Sequence, residues 1–200
     1  MALLFAKNNS LSAVTQLPAS VSGGGLNLIS TQTASDSASI SFTSGLDSTY
    51  KEYIFRFYDI HPATDSQDFQ FQGNASGGSG YNETMTTTHF LAQHAEDDSY
   101  SSLEYSGSRD LAQSTSFATL SGGVGNDNDQ SLSGFLHLFN PSSTTFIKHF
   151  MSNVQISQSS NYSVNSYSAG YFNTTSAIDE IQFKFASGNI DAGTIKLYGV

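Results

Sequence analysis

The chain has 200 residues, and its 17 Asp and Glu against 7 Lys and Arg leave a formal net charge of −10, a balance that repels nucleic-acid phosphates and anionic membrane surfaces. With no cysteine, disulfides, thiolate catalysis and Cys-ligated metal centres are excluded. Only 12% of residues are charged, about half of ordinary globular usage, while 35 Ser and 17 Thr make the surface neutral and hydroxylic.

A chain so rich in Ser, Thr, Gly and Asn invites a disordered reading, but 15 Phe and 10 Tyr sit inside alternating runs, the mark of a packed core. The length suits one β-rich domain. No stretch approaches the roughly 20 apolar residues of a membrane span, and Met1 to Lys7 lacks the basic region and cleavage site of a secretion signal. The sequons at Asn8, Asn74, Asn82, Asn161 and Asn173 are then incidental to composition.

In chain order, residues 1–33 contain little aromatic residue and carry Gly23-Gly24-Gly25 at the centre of a Ser/Thr/Leu stretch. They read as an extended arm that packs on a neighbouring subunit or, equally, as an edge strand of the same domain, which itself spans 34–200. Ala38 to Thr43 alternates as a half-buried strand. In Tyr50 to Ile60 (YKEYIFRFYDI), Tyr53, Phe55 and Phe57 share one face and Ile54, Arg56 and Tyr58 the other, so neither is simply polar. Arg56 needs a carboxylate, a ring face or open solvent. Further strands are expected at Asp68 to Gln72, Thr86 to Ala92, Ala112 to Leu120, Gly134 to Phe139, Thr145 to Ile156, Ala169 to Thr174, Ile181 to Phe185 and Thr194 to Tyr198. Between them, Gly73 to Gly80 and Ser121 to Gln130 read as mobile surface loops, and Thr86 to Asp98 as at most a turn or two of helix. The last two strands are expected to form a terminal hairpin turning at Ser187 to Gly193, with Lys184 and Lys196 on one outer face. About ten strands without a fixed repeat predict an all-β fold, an antiparallel β-sandwich or jelly roll.

Several segments carry a resemblance: Ser30 to Ser35 (STQTAS), Glu52 to Thr64 (EYIFRFYDIHPAT), Gly80 to Thr88 (GYNETMTTT), His137 to Thr145 (HLFNPSSTT), Ala177 to Phe183 (AIDEIQF) and Ser187 to Val200 (SGNIDAGTIKLYGV). Together they resemble small virion structural proteins of tailed bacteriophages, particularly those of marine bacteria. The resemblance implies a β-sandwich component of the particle, on the head or in the tail and its fibres.

No motif of enzyme chemistry stands out, and the chain reads as no enzyme, with no catalytic, cofactor or metal residue assigned. His89 and His94, near Glu96, Asp97 and Asp98, would face opposite sides of a strand. Gly125 to Gln130 carries Asp127 and Asp129 two apart but lacks the Gly and distal Glu of a calcium loop. The adjacent pairs Asp97-Asp98 and Asp179-Glu180 would diverge, and there is no Trp to make a sugar platform. Two functions remain. The first is a capsid decoration or cement protein on the exterior of the virion, partnered by itself as a homotrimer and by the major capsid protein or other virion proteins, with no nucleic acid and no membrane. The second is a tail-fibre or adhesin module binding a host-surface glycan.

Overall fold

The computed structural model describes residues 25–200. They form twelve strands: β1 (Asn27–Thr33), β2 (Ile40–Phe42), β3 (Glu52–Pro62), β4 (Gln67–Ala75), β5 (Met85–Ala95), β6 (Ser101–Tyr105), β7 (Ala118–Val124), β8 (Leu132–Phe139), β9 (Lys148–Gln158), β10 (Tyr162–Phe172), β11 (Ile178–Phe185) and β12 (Ile190–Gly199). All pairings are antiparallel. The all-β expectation holds, with two strands more than expected, β1 and β6. Residues 1–24 of the expected arm lie outside the described residues, whereas Asn27–Thr33 is an edge strand on β12.

Hydrogen-bonded neighbours run β1-β12-β3-β8-β9-β10-β5-β6 in a long sheet and β2-β11-β4-β7 in a short one, and the two meet at a single bridge, Val124 to Gln158. With the pairs β5–β6 and β9–β10 set aside, the remaining orders β1-β12-β3-β8 and β2-β11-β4-β7 are those of a jelly roll. The two inserted strand pairs add β9, β10, β5 and β6 to one edge of the long sheet. On the inner side β7 of the short sheet lies against the inserted strands, with Ser121 Oγ 3.2 Å from Ser166 Oγ of β10.

Between the sheets lies a phenylalanine core. Phe183 of β11 sits at its centre, with ring centroids 5.2 Å from Phe55 and from Phe57, 5.9 Å from Phe69, 6.2 Å from Phe42 and 6.3 Å from Phe71. Strand alternation explains the selection: Tyr53, Phe55 and Phe57 point inward from β3, and Phe69 and Phe71 from β4. Beneath the inserted strands the inner face changes to Thr87, His89, Ser152, Ser166 and Ser168, all buried.

Four expectations are corrected. The terminal hairpin does not form: β11 pairs with β4 and β2, while β12 pairs with β3 and β1, so the connection between them crosses from one sheet to the other. Ile181, Phe183 and Phe185 consequently meet Ile195 and Leu197 across the core rather than across a turn, and Lys184 and Lys196 lie on different sheets. Gly73 to Ala75 is the buried end of β4, not a loop, and Ser121 to Val124 is buried in β7. The latter segment stays covered because the Arg109 side chain lies against Gly122, where a Cβ would come within 2.2 Å of Nε. The strand expected at Thr86 to Ala92 forms and runs on to Ala95.

Candidate interaction face

The outward faces of the two sheets differ. On the short sheet, the segments between β4 and β5 and between β6 and β7 fold back as a cover: Gln72 Nε2 reaches the carbonyls of Glu83, Thr115 and Ser116 at 3.1, 3.2 and 3.0 Å, and Lys184 Nζ lies 4.3 Å from the Phe117 ring centroid. Nothing among the described residues covers the long sheet in this way. Its register puts Tyr105, Phe90, Tyr167, Asn153, Phe135, Arg56, Lys196 and Thr31 side by side in one row across successive strands. A second row carries Met151, His137, Ile54 and Tyr198.

Large apolar side chains stand out along this face: Leu103 is 74% exposed, Tyr105 58%, Met151 57%, Phe90 41% and Tyr167 40%. Phe90 and Tyr167 stack at 4.8 Å with their planes 7° apart. Beside them Asn153 Nδ2 donates to Asn165 Oδ1 at 2.7 Å and to Ser166 O at 3.4 Å, which leaves the Asn153 amide oxygen and the Asn165 amide nitrogen without a partner among the described residues. Eight strands at ~4.8 Å spacing and four rows at ~6.8 Å give a face of roughly 34 by 20 Å, about 700 Å², near the ~800 Å² per partner of a standard interface. The face holds few acids: Glu52 bonds to His137 Nδ1, and Asp110, at its margin, accepts from Tyr105. On a chain of net charge −10, the acidity lies elsewhere.

An open depression of about 400 Å³ lies between β5, β10 and β9, where Ala169 and Gly170 leave room between Tyr171, Met151, His149 and Phe139. Its wall is almost wholly apolar. A second hollow, about 380 Å³, is rimmed by Asp59, Asp129, Asp191 and His61 at the end of β3. Among the described residues no three His, Asp or Glu side chains converge as metal ligands. The acidic turn at Gly125 to Gln130 is tied to the β3–β4 connection, since Asn126 N donates to Asp65 Oδ1 at 3.2 Å and His61 Nε2 lies 3.2 Å from Asp127 O.

The structure separates His89 from His94 as strand alternation requires. His94 is exposed and sits 3.0 Å from Asp98, whereas His89 is fully buried, with Nδ1 2.7 Å from Ser168 Oγ. Ser168 in turn donates to Thr119 O at 2.9 Å, so the imidazole donates through Nδ1–H and its Nε2, which has no partner, keeps a bare lone pair. Burial first, and then the nearby Arg109 charge, hold His89 below its ordinary value. This Ser–His contact is no activated nucleophile: the hydroxyl proton is committed to a backbone carbonyl, and Ser168 is buried. Sequence reading did not single out Lys148, a fully buried lysine that donates to the carbonyls of Phe146 and Thr174 at 2.9 and 3.1 Å; desolvation lowers its pKa. Arg56 takes the ring-face option, 5.8 Å from the Tyr198 centroid and exposed to solvent.

Comparison with protein-family models, curated proteins and solved structures finds no match for this chain.

Proposed function

We propose that this chain is a structural protein of a virus particle, a decoration or cement subunit on the outside of the head, held there by the outer face of its long sheet. The observation that carries the reading is the aromatic and nearly acid-free face of about 700 Å², which no other described residue covers, on an otherwise acidic chain. Jelly rolls serve viral capsid and lectin domains among others, and the fold alone selects no function. The face, the net charge of −10 that disfavours the DNA-facing side of a shell, and the resemblance of several segments to phage virion proteins support this one. Binding the assembled lattice and not its dissociated subunits stabilises the particle by mass action.

One observation favours a second reading, an adhesin module for a neutral host glycan: the Phe90–Tyr167 stack stands beside the amides of Asn153 and Asn165. Gold-labelled antibodies on intact particles separate the two. Label spread over the head is expected for decoration, and label confined to the tail replaces it with the adhesin. Particles without label overturn both. In a rebinding assay with particles stripped of the protein, Met151→Asp is expected to abolish attachment while leaving the fold intact, because the side chain is 57% exposed at the centre of the face.

A further inference from the structure

Arg56 and Lys196 stand directly opposite each other on β3 and β12, and like charges in that position destabilise a sheet. Neither has a carboxylate within 4.0 Å among the described residues, and residues 1–24 contain no Asp or Glu that could supply one. Tyrosine rings hold them instead. The Arg56 guanidinium lies 5.8 Å from the Tyr198 centroid and Lys196 Nζ 5.4 Å from the Tyr58 centroid, so each cation is steered along the sheet surface by a ring on the neighbouring strand. Two unneutralised cations side by side are out of place on a chain of net charge −10, and the cross-strand neighbours Phe135 and Thr31 do nothing to offset them.

We propose that Arg56 and Lys196 form the receptor for Asp or Glu carboxylates of the protein that covers this face, an inference that rests on reading the face as a docking surface. The guanidinium presents a planar fork that matches a carboxylate bidentately, and the ammonium adds a point charge beside it. The exposed Phe135 ring beside Arg56 favours an acid that arrives set in an apolar protein surface. A polyphosphate chain is repelled at long range by the net negative charge, whereas one or two carboxylates within a neutral patch are not. The partner is therefore a protein surface with an apolar centre and an acidic margin, which docks in one orientation with that margin over β3 and β12.

The test uses the full-length protein. In NMR titrations at low salt, the peptide Ac-Phe-Glu-Glu-Phe-NH₂ is expected to shift the Arg56 Nε–H and the amides of Tyr58 and Tyr198, with binding about tenfold weaker for Ac-Phe-Gln-Gln-Phe-NH₂, a difference of about one decade in Kd. The R56Q/K196Q double variant is expected to remove the preference and to melt at the same or a higher temperature, since it relieves like-charge repulsion. Equal response to the two peptides, shifts centred elsewhere, or a marked fall in melting temperature overturns the inference. In the rebinding assay, R56E/K196E is expected to lose attachment and its salt dependence. If that variant binds normally while Met151→Asp does not, the carboxylate receptor fails and the docking face stands; if both bind normally, the docking reading itself fails.

Discussion

Replacing Phe183 by alanine removes the ring on which the core converges. The side chain is fully buried and its ring lies within 6.3 Å of the centroids of Phe42, Phe55, Phe57, Phe69 and Phe71. Buried Phe→Ala changes cost about 3–5 kcal/mol through lost transfer energy and the cavity left behind, and edge or stacked ring pairs add about 0.5–1.5 kcal/mol each. The surrounding rings belong to strands in both sheets, each fixed by its own ladder, so the cavity cannot close by moving one side chain. We therefore expect a loss at the upper end, about 5 kcal/mol, comparable with the whole stability of many domains. Phe183→Leu keeps most of the volume and is expected to cost under about 2 kcal/mol. Urea unfolding followed by fluorescence and far-UV circular dichroism measures the change, with Leu103→Ala, 74% exposed on the outer face, as the surface control, expected within about 0.5 kcal/mol of the parent. A Phe183→Ala loss below about 1.5 kcal/mol, or a Leu103→Ala loss as large, would refute the assignment of inner and outer faces.

Protonating His89 opposes the fold. Its folded pKa lies below the unfolded value of about 6.5, so the unfolded state binds more protons as pH falls below that value, and stability drops there by up to about 1.4 kcal/mol per pH unit for one proton. Urea midpoints between pH 8 and 5 are expected to fall less steeply in His89→Gln; parallel curves would contradict the buried neutral imidazole. Deleting Gly193 to Val200 strips most of β12 from between β1 and β3 and is expected to yield insoluble protein, while a soluble product with unchanged melting would disprove the central placement of that strand. At Gly134, a Cβ would come within 2.3 Å of the Asn153 carbonyl oxygen and 2.8 Å of Val154 Cα; both are backbone, so Gly134→Ala is expected to cost about 2–3 kcal/mol on thermal or urea unfolding. The full chain at micromolar concentration is expected to scatter light as a homo-oligomer, a trimer if the decoration subunit sits on threefold positions of the head; a clean monomer there and in the particle would end that reading.

Alternation determined which side chains of a strand share a face. Tyr53, Phe55, Phe57, Phe69, Phe183 and Phe185 are buried as their period of two requires, and His89 and His94 part to opposite faces for the same reason. Composition determined the neutral, hydroxylic and acidic surface. Partners were another matter, because a period of two says which face a side chain occupies and nothing about which strand lies beside it. Residues 186–189 are as compatible with a hairpin turn as with a crossing between sheets. Only the competition of β3 for β12 and of β4 for β11, each with its own aromatic row to bury, chose the crossing. In the same way Ser121 to Val124 reads as a loop until Arg109 and Ser166 cover it, and Ser101–Tyr105 becomes a strand only against β5. The candidate face was half legible: apolar residues on both sides of Tyr53 to Tyr58 and Gly134 to Phe139 signalled that something must cover the second side. The row that joins Phe90, Tyr167, Phe135, Arg56 and Lys196 exists only once five strands distant in sequence are laid in register, since cross-strand distance is set by tertiary pairing and not by separation along the chain.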